Sequence, residues 1–125
     1  MDMNLTFSVT ARCYVYEKGD NENYKKEDII LEFDETTAMN FLFRFAPYAF
    51  MLNGYKIIFH MNGTSVDGLQ LIDEDSIYVV SNLNQVFSEV YQGYYNIITM
   101  KKISGILNYD FDSYKEEEVK DEFEG

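Results

Sequence analysis

The alternation of apolar with mostly polar side chains over residues 5–16 constrains the fold of this chain more than any other feature. Two interleaved sets of side chains make up this segment: the apolar set Leu5, Phe7, Val9, Ala11, Cys13 and Val15, and the set Thr6, Ser8, Thr10, Arg12, Tyr14 and Tyr16. Successive side chains of a strand point to opposite faces of a sheet, so the pattern predicts a long strand with one buried face. Turn residues at 19–23 and a second alternation at 29–33 predict an antiparallel hairpin.

The segment that follows has the spacing of a helix. It carries two apolar stripes: Met39, Leu42, Phe43 and Ala46, and Phe41, Phe45, Tyr48 and Leu52. Asp34 and Thr36 are suitable N-cap residues, and Asn53 precedes a glycine that favours a helix end. These signals predict a helix over 36–52 that is kinked at Pro47. Because one core cannot easily cover both stripes, we expect one stripe to meet either the other side of the core or a second subunit, and we favour a symmetric homodimer.

The second half of the chain contains further strand and helix signals. Alternation and turn residues predict strands at 55–61, 66–72 and 76–81. The spacing of Val86, Val90 and Tyr94 predicts a helix over 83–93, and the β-branched residues of 95–103 predict a return to the sheet. The whole pattern predicts an α+β fold, a single domain with an antiparallel sheet of about five strands and two helices.

The end of the chain differs from the rest in charge. We expect an α+β domain over 1–105 and an acidic C-terminal extension over 106–125. The extension contains eight acids against Lys115 and Lys120: Asp110, Asp112, Glu116, Glu117, Glu118, Asp121, Glu122 and Glu124. It therefore holds half of the formal net charge of -12, while residues 36–66 contain no acid.

This charge excludes several classes of partner. Nucleic acid and anionic membranes would repel a chain with a net charge of -12, so we expect no direct nucleic-acid binding and no membrane binding. No run of about 20 uncharged apolar residues is present. A single cysteine, Cys13, permits no internal disulfide and fits a reducing compartment. These features predict a cytoplasmic protein.

Motifs for catalysis or for metal binding are absent from the sequence. His60 is the one histidine, and no nucleophile motif accompanies it or Cys13, so an outward-facing strand residue is the better interpretation of His60. Asp110 and Asp112, with Glu116 further on, lack the glycine and the spacing of a calcium loop. We therefore predict no enzymatic activity, no cofactor and no metal. A small hydrolase or transferase built on His60 or on a carboxylate pair is a distant alternative.

The acids themselves offer the most specific functional hypothesis. In a strand, Asp110 and Asp112 would lie about 6.7 Å apart on one face, and in a helix Glu118 and Glu122 would lie about 6 Å apart. A regular row of anions can take the place of phosphates on a basic groove. The predicted partner-binding residues are Asp73, Glu74, Asp75, Asp110, Asp112, Glu116, Glu117, Glu118, Asp121 and Glu122.

Composition and size suggest a class for such a protein. Asn, Ile, Lys, Tyr and Phe are abundant, as in A/T-rich coding sequences, which favours a bacterium of low G+C content or its phage as the source. A small acidic chain without motifs looks like the phage-encoded inhibitors that include DNA mimics and anti-CRISPR proteins. The sequence therefore predicts an inhibitor that occupies the basic nucleic-acid-binding surface of a target protein, in the host cytoplasm if it is phage-encoded.

Two less specific interpretations remain open. The acidic extension is equally well explained as a solubilising tail. The chain is otherwise an adaptor or a self-assembling module that acts through the 36–52 helix and a set of surface tyrosines: Tyr14, Tyr16, Tyr48, Tyr91, Tyr94, Tyr95, Tyr109 and Tyr114.

Overall fold

A computed structural model describes residues 4–43 and 50–108 of the chain. The strands are β1 (Phe7–Glu17), β2 (Tyr24–Phe33), β3 (Phe50–Leu52), β4 (Tyr55–Asn62), β5 (Ser65–Ile72) and β6 (Ser76–Val80), and the helices are α1 (Glu35–Phe43) and α2 (Leu83–Asn108). This confirms the predicted α+β class, the antiparallel sheet and the two helices. The sheet has six strands, one more than the expected number of about five.

The sheet is a single antiparallel layer with the strand order β2-β1-β6-β5-β4-β3. β1 pairs with β2 along its length and with β6 on its other side, where Glu17 lies opposite Ser76. The sheet curls, and its two edges approach each other at one end. There the backbone N–H of Glu32 in β2 donates a hydrogen bond of 2.7 Å to Oδ1 of Asn53, which follows β3.

One face of the sheet forms the core. The apolar set of β1 is buried as its alternation predicts, with Val9, Ala11, Cys13 and Val15 at most 5 % exposed. Both helices cover this face, and phenylalanine rings link them to the strands. Phe41 of α1 is fully buried, with ring centroids 5.4 Å from Phe33, 5.2 Å from Phe59 and 4.9 Å from Phe87. We call the opposite side, which neither helix covers, the open face.

The predicted helix over 36–52 is wrong at its C-terminal end. α1 begins at Glu35, after Asp34, but Phe50–Leu52 is the strand β3, and Leu52 pairs with Tyr55 across a tight turn. Asn53 has φ 53° and Gly54 φ 85°, the paired positive angles that an Asn-Gly hairpin favours, so this dipeptide reverses a strand instead of ending a helix. The rest of the predicted stripes, at 45, 46 and 48, lies outside the described residues.

The predicted strand over 95–103 is also wrong, because α2 continues to Asn108 and includes it. Val90, Gly93 and Ile97 are buried at helical spacing against the sheet and α1. Burial of this stripe outweighs the weak strand preference of the β-branched residues at 97–99. Gly93 permits the close approach, since a Cβ at this position would lie 2.4 Å from the Phe7 ring.

Candidate functional site at the acidic end of the sheet

Two acidic turns lie side by side at one end of the sheet. The β1–β2 turn follows Glu17, the β5–β6 turn precedes Ser76, and these two residues are opposite each other in the β1–β6 ladder. The backbone N–H of Lys18 donates a hydrogen bond of 3.0 Å to the carbonyl of Asp75, which joins the turns directly. The pairing of β1 with β6 therefore brings together two segments that are more than fifty positions apart in the chain.

This juxtaposition concentrates negative charge. Residues 17–23 and 73–75 contain Lys18 as their one base and six acids, which we call the acidic end: Glu17, Asp20, Glu22, Asp73, Glu74 and Asp75. Charges that lie closer together than the Debye length, about 8 Å at physiological salt, are only partly screened from one another. The acidic end therefore presents a local field that attracts cationic groups.

Two of the six carboxylates hold the turns in shape. Asp20 accepts hydrogen bonds from the backbone N–H groups of Glu22 (2.9 Å) and Asn23 (3.1 Å) and from the side-chain amide of Asn23 (3.2 Å). The bond from the Glu22 backbone, followed by those from Asn23, lowers the pKa of Asp20 below its ordinary value of 3.8. This carboxylate therefore stays charged at any physiological pH while it stabilises the turn.

Asp73 has the same role in the β5–β6 turn. Its carboxylate accepts hydrogen bonds from the backbone N–H groups of Asp75 (2.9 Å) and Ser76 (2.8 Å) and from the Tyr78 hydroxyl (3.3 Å). Burial, and then the charge of Asp73, raises the pKa of Tyr78 to about 12. The tyrosine therefore remains a neutral donor to this carboxylate.

The other four carboxylates are available to a partner. In the described part of the chain, the side chains of Glu17, Glu22, Glu74 and Asp75 take part in no hydrogen bond or ion pair. Their negative charge is not neutralised by a neighbouring base. These four acids can therefore contact a cation on another molecule without first breaking a contact in this one.

A cavity of about 510 Å³ opens beside the β1–β2 turn on the open face. Its lining residues are Tyr16, Glu17, Gly19, Asp20, Asn21, Gln70, Ile77 and Val79. Ile77 and Val79 supply an apolar surface, Tyr16 supplies an aromatic ring, and Glu17 and Asp20 supply negative charge. This combination suits the side chain of an arginine or a lysine, whose aliphatic stem packs on apolar groups while its charged head meets carboxylates.

The structure describes one of the two groups of predicted partner-binding residues. Asp73, Glu74 and Asp75 lie at the acidic end, whereas Asp110, Asp112, Glu116, Glu117, Glu118, Asp121 and Glu122 lie outside the described residues. α2 passes Phe7 at Gly93, and Lys101 reaches Glu35 at 2.6 Å, so this helix runs toward the end of the sheet where β1 begins. The helix therefore ends, at Asn108, on the side of the molecule away from the acidic end.

Sequence reasoning missed half of the acidic end. Glu17, Asp20 and Glu22 were not among the predicted partner-binding residues, and neither were the cavity residues Ile77 and Val79. Their signal is present in the sequence, since the acids flank the predicted first turn. Their proximity to 73–75 depends on the β1–β6 pairing, which no local pattern reveals.

The remaining predicted sites take the following places. His60 is an exposed residue of β4 opposite Gly68, as expected from its strand position. Cys13 is 3 % exposed, and burial, then the charges of Asp28 and Glu27, raises the pKa of its thiol to about 12, so it carries no nucleophilic thiolate at neutral pH. Within residues 4–43 and 50–108, no group of three or more His, Cys, Asp or Glu side chains is arranged to hold a metal ion.

Comparison with models of protein families, with curated proteins and with solved structures found no match. In the described ranges neither helix is long and apolar enough to cross a membrane. The functional assignment of this chain therefore rests on the geometry of the acidic end and of the open face.

Proposed function

We propose that this protein is a non-enzymatic inhibitor that binds the basic, nucleic-acid-binding surface of another protein through the acidic end of its sheet. The observation that carries the proposal is that two acidic turns lie side by side and that one of them, the β1–β2 turn, lines a cavity suited to a basic side chain. Proteins that bind nucleic acid present arginine and lysine to phosphates, and the same residues bind a compact set of carboxylates. The class is that of phage-encoded DNA mimics and anti-CRISPR proteins.

The geometry supports two different roles for the carboxylates of the site. Asp20 and Asp73 fix the backbone of the two turns, and this sets the positions from which the unpaired carboxylates of Glu17, Glu74 and Asp75 meet cations. An ordered backbone loses little conformational entropy on binding, which favours affinity over acids on a disordered segment. One arginine or lysine of the partner occupies the cavity and orients the complex.

Competition with DNA tests this proposal. The partner is captured from a lysate of a low-G+C bacterium at low salt, identified and purified, and its binding to this protein is then measured with and without a DNA duplex. We expect the two ligands to exclude each other, and we expect the affinity for this protein to fall steeply as salt rises. Simultaneous binding of DNA and this protein would contradict the proposal.

Neutral variants locate the binding surface. The variant E17Q/E74Q/D75N removes three charges at the acidic end and keeps the shape of the side chains, and E32Q/D67N/E89Q removes three charges elsewhere as the matched control. Charge pairs at a partly desolvated interface contribute about 1 kcal/mol or more each, so we expect the first variant to bind at least tenfold more weakly. The control variant should lose less affinity for the partner, because it changes only the long-range electrostatic field of the protein.

A third variant tests the C-terminal extension separately. E116Q/E117Q/E118Q removes the same number of charges from the residues outside the described ranges. A loss of affinity in this variant alone would assign the binding surface to the extension instead of the acidic end. Equal binding by all three variants, with no effect of salt, would show that the acids only hydrate the protein.

The open face favours self-assembly as a second candidate function. Three of its side chains are large and exposed: Tyr24 (53 %), Ile30 (63 %) and Met51 (61 %). Of the stripes predicted on the 36–52 segment, Phe41 and Leu52 lie in the core and are not part of an exposed surface. Exposed apolar groups grouped on one sheet face are typical of protein interfaces.

A further inference from the structure

The outer edge of β2 is an unpaired row of backbone groups. On β1, the N–H and carbonyl of Arg12 bond toward the β6 side, to Asn82 and Ser81, so the odd residues of β1 bond to β2. In the β1–β2 register odd residues face odd residues, and the even residues of β2 therefore point outward. The outward N–H of Glu32, which bonds to Asn53, agrees with this assignment.

No described residue covers the rest of this edge. Tyr24, Lys26, Asp28 and Ile30 direct their backbone N–H and carbonyl groups outward, and within the described ranges none of these groups has a hydrogen-bond partner. The four side chains are exposed on the open face. Such an edge is a template for another strand, and proteins that remain monomeric block it with charged side chains such as lysine, a bulge, a proline or a covering segment.

The side chains of this edge complement themselves. When two copies of β2 run antiparallel with Lys26 opposite Asp28, every even position from 24 to 30 meets a favourable neighbour. Lys26 faces Asp28 twice across the symmetry axis, and Tyr24 faces Ile30 twice. Opposite charges and aromatic with β-branched residues are favourable cross-strand pairs.

Neighbouring registers lose the Tyr24–Ile30 pairs. A shift by two residues in one direction places Lys26 opposite Lys26 and Tyr24 opposite Asp28, although Lys25 then faces Glu27 twice, and a shift in the other direction places Asp28 opposite Asp28. In the proposed register Glu27 meets its own copy on the core side of the axis, where Lys25 of each chain, 3.9 Å from Glu27, offsets the repulsion. The Tyr24–Ile30 pairs on the open face therefore distinguish the proposed register from its neighbours.

We propose that this chain forms a symmetric dimer in which β2 pairs antiparallel with β2 of a second copy, Lys26 opposite Asp28, so that two sheets become one continuous sheet. The occupant of the edge is a second copy because the complementarity is of the strand with itself. One strand edge makes a small interface, and interfaces below about 1,000 Å² are weak, so the dimer forms at high protein concentration.

Charge exchange tests the register. Sedimentation at about 0.1 mM should show a species of twice the 14.7 kDa of one chain. K26D places an acid opposite Asp28 twice in each dimer, so we expect the dissociation constant to rise at least tenfold. The double variant K26D/D28K restores opposite charges across the axis and should recover the parent value within about threefold.

The control variant is K56D, which changes the net charge as K26D does but lies in β4, between β3 and β5. We expect K56D to dimerise as the parent does, and circular dichroism checks that each variant is folded. A monomeric parent at this concentration, an equal loss in K26D and K56D, or no recovery in the double variant would overturn the proposal.

Cross-linking provides an independent measurement of the same register. Position 27 faces its own copy as a pair without backbone hydrogen bonds, with Cα atoms about 4.5 Å apart, a separation that a disulfide spans. In a C13A background, which removes the thiol that lies opposite position 27 in the same chain, E27C should therefore form a disulfide-linked dimer on mild oxidation, whereas E32C, in the same strand but away from the axis, should not. Equal cross-linking of the two variants would contradict the predicted register.

Discussion

Gly93 shows how one residue determines the distance between a helix and the sheet. Replacing a glycine inside a helix by alanine ordinarily stabilises the helix by about 1 kcal/mol. In G93A the new Cβ would lie 2.4 Å from Cδ2 and 2.5 Å from Cε2 of the Phe7 ring, whose centroid is stacked 5.3 Å from that of Phe33. We expect overpacking to reverse this usual stabilisation, so that G93A lowers the free energy of unfolding by about 1–3 kcal/mol.

Chemical denaturation of G93A measures this change, and Phe7 provides the control. Phe7→Leu shortens the side chain that the new methyl group would meet. G93A should therefore lower the free energy of unfolding less in the F7L background than in the parent. If G93A stabilises the protein in both backgrounds, the close approach of α2 to β1 is incorrect.

Asp34 provides the N-cap of α1. Its Oδ1 accepts a hydrogen bond of 2.9 Å from the backbone N–H of Thr37, and the Thr37 hydroxyl accepts one of 2.9 Å from the backbone N–H of Asp34. The bond from the Thr37 backbone above all, and a bond of 2.9 Å that the Thr37 hydroxyl donates to Oδ1, lower the pKa of Asp34 below its ordinary value of 3.8. We expect D34A to lower the free energy of unfolding by about 1 kcal/mol at neutral pH.

The pH dependence of this loss has a definite sign. A carboxyl whose pKa is lowered in the folded state stabilises the protein above its unfolded pKa, and it loses that contribution as the pH falls through the folded pKa. The difference between D34A and the parent should therefore shrink below about pH 4. Asn is an equally good cap, so D34N should retain most of the stability at neutral pH. A difference that is constant from pH 7 to about pH 2 would exclude the charged cap.

At the scale of elements, Asn82 connects the central strand to the long helix. Its Oδ1 accepts a hydrogen bond of 2.8 Å from the backbone N–H of Arg12, and its Nδ2 donates bonds of 3.1 Å to the carbonyl of Thr10 and to Gln85. The side chain thus continues the β1 edge beyond the end of β6. N82A leaves two backbone groups of β1 without these bonds.

We expect N82A to lower the free energy of unfolding by about 1–3 kcal/mol, the cost of leaving polar groups unsatisfied. Hydrogen exchange should also accelerate at the Arg12 amide, because this amide loses its acceptor. N82D keeps the acceptor for Arg12 and loses the donor for Thr10, so its Arg12 amide should stay protected. Rapid exchange in N82D would show that the Asn82 acceptor does not protect this amide.

Local pattern predicted the strands better than it predicted the ends of the helices. The prediction of β1 was correct because a strand that buries one face must alternate apolar and polar residues. Only one such alternation places both Val9 and Val15 on the buried face. The stripe that contains Phe41 and Leu52 was misassigned because residues that are buried in one core need not belong to one element. The segment 95–103 was misassigned because packing of Ile97 on the sheet outweighs intrinsic strand preference.

At the scale of the whole molecule, the acidic end is a region of repulsion between like charges. Its six acids surround one lysine, and four of the carboxylates have no partner in the described part of the chain. Salt screens this repulsion, so we expect the melting temperature to rise between about 20 mM and about 500 mM NaCl. The rise should be smaller in E17Q/E74Q/D75N than in E32Q/D67N/E89Q, and circular dichroism measures both. An equal rise in the two variants would assign the effect to overall charge.

The candidate site illustrates what a sequence leaves open at this scale. Asp73, Glu74 and Asp75 were chosen because they form a charged run, which is visible locally. Glu17 and Asp20 belong with them only because β6 returns to the side of β1, and that choice among strand orders depends on long-range packing. The same choice leaves β2 at the edge, where its self-complementary face is exposed.

The strand order also bears on the synthesis of this protein. β1 and β6 are neighbours in the interior of the sheet although they are its first and last strands, so Cys13 pairs with Val80 only after every other strand has been made. Until then a nascent β1–β2 hairpin has two open edges, one of them on the strand that carries most of the apolar alternation. A chain released by premature termination before residue 76 is therefore expected to aggregate. A chain released after α2 contains the complete sheet.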